Sequence, residues 1–186
     1  MPGYRINVRN CKRAAVTADT SSSYTIGTPV AMPAMRSAEI SFKSASGELY
    51  GDGELVSHKT KLTGATLKLD IDKLTLDDKA AFMGATKTNK GTLPVKTTDT
   101  SPKVAIYFEM EHDDGGYEAI WLLVGQAEPI NVTSQQQESS INYSTESVNI
   151  NFVRRNKDKE LIVIADTDDA GFTTANQTAF AASPDI

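Results

Sequence analysis

Three stretches of this chain alternate strictly between apolar and polar residues, and a period of two leaves little room for anything but half-buried β-strand. Ala38, Ile40 and Phe42 alternate with Glu39, Ser41 and Lys43. Leu67, Leu69 and Ile71 alternate with Thr66, Lys68, Asp70 and Asp72, and Val148, Ile150 and Phe152 with Asn149 and Asn151. Successive side chains of a strand point to opposite faces, so each stretch presents one dry face and one wet one. Two further segments, Val104 to Phe108 and Ala119 to Val124, are nearly continuous apolar runs, the pattern of strands covered on both sides. Asp113-Asp114-Gly115-Gly116 lies between them and reads as a hairpin turn, because Gly can supply a positive φ. Trp121 is expected to anchor the core there.

One segment carries a helical signature. Thr75 and Asp78 stand in capping-box spacing, Leu76, Ala80 and Met83 share one face, and Gly84 is placed to end the helix. Thr17 to Pro33 reads as a loop or loosely held strand, and Leu161 to Ala165 as a last strand. The expected fold is therefore mainly β, a sandwich or partial barrel of antiparallel strands with one short α-helix. A length of 186 residues suits one domain with appended arms. The expected division is a β domain over residues 1–165, which includes an N-terminal arm 1–34, and a C-terminal arm 166–186 docked through Phe172 and Phe180. The ends carry opposite charge: Arg5, Arg9, Lys12 and Arg13 at the start, Asp166, Asp168, Asp169 and Asp185 at the finish.

Lys and Arg number 19 against 24 Asp and Glu, and the resulting charge of -5 argues against nucleic acid as a tightly held ligand. No apolar run reaches the ~18 to 20 residues of a membrane helix, and no apolar segment follows the basic start, so synthesis and folding in the cytoplasm are expected. The single Cys11 excludes an internal disulfide. Candidates for chemistry are few. His58 and His112 read as surface or loop histidines, and Asp70 with Asp72 as a solvated face. Asp166 to Gly171 resembles the opening of a calcium loop, but Ala170 and Gln177 stand where that loop needs oxygen ligands. Gly51-Asp52-Gly53 reads as a sharp turn, lacking the later glycine of a dinucleotide fingerprint. The glycosylation patterns at Asn131, Asn142 and Asn176 mean little without a secretory route. No enzyme activity, cofactor or metal is expected.

The order of features resembles that of siphophage major tail proteins. Leu49-Tyr50-Gly51-Asp52-Gly53 after the first alternating strand is similar to the Leu-Tyr-Ala-Asp segment of that family. Gly64-Ala65-Thr66-Leu67, Leu74-Thr75-Leu76-Asp77-Asp78, Ser101-Pro102-Lys103-Val104-Ala105-Ile106, Tyr117 to Leu122 and Ala127-Glu128-Pro129 then follow in the family's order, over roughly residues 35 to 155. Gly51 and Gly53 depart from the larger residues common there, and the segment after Asp166 does not align.

The resemblance implies hexameric rings that stack into a tail tube, with hairpins from each subunit closing an inner β-barrel through which double-stranded DNA leaves the capsid. On that reading Glu39, Ser41, Lys43, Thr66, Lys68, Asp70, Asp72, Asn149 and Asn151 line the lumen. Leu49, Tyr50, Gly51, Asp52, Gly53 and Glu54 would belong to a loop, between Ser44 and Thr63 and too long for a tight hairpin, that reaches the adjacent ring. A basic-arm to acidic-arm contact between rings is a further expectation. Implied partners are other copies of the chain, a tape measure protein, tail terminator and distal tail proteins, and DNA in transit only, with no membrane. The implied location is the virion tail, assembled in the host cytoplasm. The competing expectation is a monomeric β-sandwich binding module of carbohydrate-binding or adhesin type, which calls for an exposed aromatic platform.

Overall fold

A computed structural model of the chain describes residues 3–32, 35–52, 54–131 and 145–185. Gly53, Thr133 of the first glycosylation pattern and the whole of the second, Asn142 to Ser144, lie outside the described residues. The strands are β1 (Arg5–Asp19), β2 (Tyr24–Ile26), β3 (Val30–Ala31), β4 (Met35–Gly51), β5 (Glu54–Ile71), β6 (Val104–His112), β7 (Tyr117–Ala127), β8 (Glu146–Val153) and β9 (Ile162–Asp166). Two short helices, α1 (Leu76–Met83) and α2 (Thr174–Phe180), complete the order. The fold is mainly β, as expected: one antiparallel sheet in the order β2-β1-β6-β7-β8-β5-β4, with β3 added to β1 and β9 to β7.

The sheet curls around its apolar side. Leu67, Leu69, Ile71, Val148, Ile150 and Phe152 of the alternating strands pack with Ile106, Phe108, Ile120 and Leu122 of the apolar runs, all 3% exposed or less. Met35 and Ala38 of β4 and Val8 of β1, at nearly opposite positions in the strand order, border this same core, and the Met32 N–H reaches the Cys11 carbonyl at 2.9 Å. The curl brings Phe152 across Gly125, its register partner. A Cβ on Gly125 would stand 2.5 Å from the Phe152 ring, so only glycine permits the approach.

A second core lies on the other side of β6 and β7. Tyr107 and Trp121 stack at 5.2 Å between centroids, Phe180 meets Tyr107 and Phe172 edge-on, and Tyr24 closes the group. Its polar atoms are satisfied: Trp121 Nε1 donates to the Phe180 carbonyl at 2.6 Å, and the Tyr24 hydroxyl to the Leu123 carbonyl at 2.6 Å. Strands β6 and β7 are therefore covered on both faces, as their unbroken apolar runs require. Burying an aromatic of this size with its one donor paired is worth several kcal/mol, on the order of the 3–5 kcal/mol lost when such a ring is cut to Ala.

Four expectations need correction. The basic N-terminal segment is strand β1, because Glu109, Glu111 and Glu118 on β6 and β7 supply the partners its cations lack locally. Arg9 reaches Glu109 and Glu111 at 3.0 and 2.7 Å, and Arg5 reaches Glu118 at 2.5 Å. Arg13 is likewise bonded to Asp78 at 2.7 Å, and Asp185 is held by Arg155 and Lys157, whereas Asp166, Asp168 and Asp169 form no ion pair among the described residues. Helix α1 has the expected cap, with the Thr75 hydroxyl accepting from the Asp78 N–H at 3.1 Å and Gly84 at φ 69°, but its dry face is different. Phe82 fills the core while Leu76 is 40% exposed. His112 is 5% exposed at the end of β6, whereas His58 is exposed as expected. The Ser44–Thr63 stretch, finally, is a hairpin: β4 and β5 stay paired from Ser44 opposite Leu62 to Gly51 opposite Glu54.

Candidate assembly surface

Strands β4, β5 and β8 lie side by side, and the cross-strand register sorts their residues by face. Glu39 stands opposite Lys68 and Lys68 opposite Asn149; Ser41 stands opposite Thr66 and Thr66 opposite Asn151. Ser37, Asp70 and Ser147 form the next row, and Lys43 faces Gly64 beyond. Eight of the nine expected lumen residues thus share one wet face. The ninth, Asp72, sits just past the end of β5 and meets Arg36 at 3.9 Å.

This face is bonded into a network. Asn151 Oδ1 accepts from Lys43 Nζ at 2.7 Å and from the Thr66 hydroxyl at 2.9 Å, and Asn151 Nδ2 donates to Glu128 Oε1 at 2.7 Å. Asn149 donates to the other Glu128 oxygen at 3.3 Å, and the Ser37 hydroxyl donates to Asp70 at 2.9 Å. Glu128, after β7, is a member that the period of two could not reveal, because it enters through side-chain bonds and not through a strand of its own. Its Leu-free neighbourhood in the sequence, Ala127-Glu128-Pro129, offered only a family likeness as a signal. Two lysines stand against three acids, Glu39, Asp70 and Glu128, so the face is slightly negative. Chemically it is a polar surface, hydrogen-bonded around Asn151 and Glu128, with no cluster of cations among its described residues to hold a phosphate backbone.

The same hairpin continues past the sheet as an arm. Strand β8 pairs with β5 only from Ala65 to Ile71, so from Ser44 to Gly51 and back from Glu54 the two strands have only each other. At about 3.3 Å per residue, the outgoing strand projects roughly 25 Å. A bulge opposite Lys43 marks its root, where the Thr63 hydroxyl donates to the Lys43 carbonyl at 3.0 Å. Leu49, Tyr50, Leu55, Val56 and Leu62 lie along it at 48–64% exposure, and Phe42 at the root is 55% exposed. An isolated two-stranded ribbon with this much apolar surface in water is marginal by itself. At the tip, Asp52 has φ 51° and separates Gly51 from Glu54 together with Gly53. The expected inter-ring residues Leu49, Tyr50, Gly51, Asp52 and Glu54 are thus brought to the far end of the arm, where the Tyr50 hydroxyl donates to Glu48 at 2.7 Å.

Strand β4 is also an edge. It bonds to β5 alone, so the other side of a 17-residue strand carries backbone N–H and C=O groups without strand partners among the described residues. Edges of this length are normally blunted by prolines or bulges, or covered; the β4–β5 pairing shifts register after Met35, Lys43 and Leu49, but the strand Met35–Gly51 contains no proline. Trp121 and Tyr107, 0% and 1% exposed, are too buried to serve as the aromatic platform of a binding module.

No protein-family model matches the chain, and no curated protein does. Among solved structures it is similar to the anti-feeding prophage cap, a tube-terminating cap determined by cryo-electron microscopy. The two are 12% identical, the match covers 89% of this chain and 93% of that one, and the TM-score is 0.48. A likeness at that level leaves function to be read from the surfaces of the sheet. No helix among the described residues is long and apolar enough to cross a membrane.

Proposed function

We propose that the chain is a structural subunit that assembles with copies of itself into rings, six to a ring by its resemblance to siphophage major tail proteins, and that the rings form a phage-tail tube. The unpaired edge of β4, running the length of a wet sheet face, is the observation that carries this reading. Pairing that edge with a strand of a neighbouring copy would satisfy its backbone groups and continue the sheet, and repetition around a ring closes a cylinder with no edges left. The bonded polar face of β4, β5 and β8 would then turn inward. Its slight negative charge suits a passage for DNA, since phosphates meet no ladder of cations and slide. The arm from Ser44 to Thr63 would extend out of the ring and bury its apolar residues against the next one. A tape measure protein in the lumen, and terminator and distal tail proteins at the ends, follow from the same resemblance, as does a location in the virion.

Size-exclusion chromatography over a concentration series, with electron microscopy of the product, tests the proposal. Rings or tubes are expected. Rings that form and stay single would place the chain at the end of a tube, as a cap, and not along its body. A monomer at every concentration would overturn assembly through β4 and favour the binding module.

A further inference from the structure

Away from β4 and the arm, the turn between β6 and β7 meets the loop that follows β9. The two loops are drawn together closely enough that a Cβ on Gly116 would lie 2.8 Å from Thr167 Oγ1 and 3.3 Å from Asp168 Oδ1. Thr167 fixes the second loop to β7, its hydroxyl accepting from the Tyr117 N–H at 2.8 Å and donating to the Tyr117 carbonyl at 3.1 Å. His112 opens the turn, with its N–H on the Gly116 carbonyl at 2.8 Å. As a result His112, Asp114 and Asp168 each bring one donor atom within 4.8 Å of the others. Asp114 is further confined by Gly3, where a Cβ would stand 2.7 Å from its carboxyl group.

Acids on neighbouring turns are common and would mean little alone. The imidazole is different. His112 is 5% exposed, and its Nδ1 is buried with no hydrogen-bond partner among the described residues. A nitrogen shielded from solvent without a protein partner is costly to keep, and a bound ligand would satisfy it. The Asp168 carboxylate likewise accepts no hydrogen bond from the described residues, and only one oxygen of Asp114 is used, accepting from the Gly116 N–H at 3.0 Å.

We propose that His112, Asp114 and Asp168 form a binding site for one divalent transition-metal ion of the zinc class, with water completing the coordination. One imidazole and two carboxylates suit zinc, whereas calcium and magnesium prefer sets made of oxygen alone. Tetrahedral bonds of about 2.0–2.2 Å to such an ion place donors roughly 3.3–3.6 Å apart, a closure that rotation of the exposed Asp168 carboxylate supplies. The site ties the β6–β7 turn to the first residues after β9. It is independent of ring assembly, since none of its residues lies on β4, β5 or β8.

The test uses the full chain without a polyhistidine tag, stripped with chelator. Titration with Zn²⁺ by calorimetry should give one site per chain, and Co²⁺ should give a visible absorption band. At hundredfold excess over Kd, Zn²⁺ should raise Tm by about 5–10 °C. Asp168→Asn, an exposed change that leaves the fold intact, should weaken Zn²⁺ binding about tenfold or more. His112→Gln should remove the Co²⁺ band, with circular dichroism confirming that the variant is folded. No binding at millimolar Zn²⁺, binding that both variants leave unchanged, or a preference for Ca²⁺ or Mg²⁺ over Zn²⁺ would each overturn the assignment.

Discussion

Strands β6 and β7 form a hairpin with both faces covered, whereas the longer hairpin β4–β5 has one face wet, one edge open and half its length outside the sheet. The first is finished by its own chain. It lies between two cores, and the polar groups of its aromatic side are paired within the molecule, Trp121 Nε1 on the Phe180 carbonyl and the Tyr107 hydroxyl on Glu109. The second is complete only toward the core, through Leu67, Leu69 and Ile71, and leaves backbone groups and apolar side chains for something else to cover. Stability is concentrated in one hairpin and unsatisfied binding capacity in the other. If the chain assembles as proposed, that separation is what it needs, because contacts reserved for assembly cannot also hold the monomer together.

Five experiments would break or sharpen this contrast. The largest effect is expected in the finished hairpin: Trp121→Ala should destabilise the monomer by about 3–5 kcal/mol, read as the shift of the denaturant midpoint, and a loss under 1 kcal/mol would mean that the second core is not what holds β7.

Next comes the latch of the C-terminal segment. Arg155, 3% exposed, bonds Asp158, Glu160 and Asp185 at 2.6–2.7 Å and lies over the Tyr24 ring. Arg155→Met should cost about 2 kcal/mol, since its acids are partly exposed and keep some water. The same latch sets a pH dependence. The hydrogen bond from Arg155 holds the Asp158 carboxyl below its usual range; burial pushes the Asp185 carboxyl up, but bonds from Lys157 and Arg155 outweigh it and hold that group low too. A carboxyl depressed in the folded state stabilises above its unfolded pKa and loses that contribution as pH falls through the folded value. The latch should therefore be intact at neutral pH and loosen below about pH 4, visible as near-ultraviolet dichroism of Trp121 that changes before the sheet signal does.

The unfinished hairpin should behave in the opposite way. Replacing Ser46–Thr60 by Asn-Gly, which joins the register partners Ala45 and Lys61 through a two-residue turn, should change monomer stability by less than about 0.5 kcal/mol yet leave rings that do not stack. A large loss of stability would show that the arm is folded onto its own subunit. The smallest effect on the fold is expected from Glu39→Lys, which turns the wet face to three lysines against two acids. Rings should form normally while DNA passes more slowly, and unchanged passage would remove the lumen assignment from this face.

What could be read from the residues depended on whether the cause of a structure was local. The period of two at Ala38 to Phe42 and Leu67 to Ile71 placed the wet face because alternation is a property of neighbours in the chain. Strand β1 escaped notice because Arg5 and Arg9 look like a solvated arm until Glu109, Glu111 and Glu118, about a hundred residues away, are set beside them. Helix α2 has a weak signal: Thr173 caps it, but its seven residues TANQTAF hold together only because Phe180 is seated on Tyr107 and Phe172. Phe82 was missed on α1 because helical periodicity fits two faces in so short a segment, and the sheet chose between them. The pairing of His112 with Asp168 had no signal in the chain, since each looks ordinary until the Gly116 turn closes on Thr167.

The bond from Trp121 to the carbonyl of Phe180 joins residues 59 apart, and it fixes a schedule as well as a structure. At about 5–20 residues per second, a ribosome needs roughly 3–12 s to extend the chain from one to the other. For that interval the outer side of the central hairpin lacks its Phe180 cover. The arrival of Phe180 is thus the step at which the second core closes, and a messenger cut short before it would release a product prone to clump.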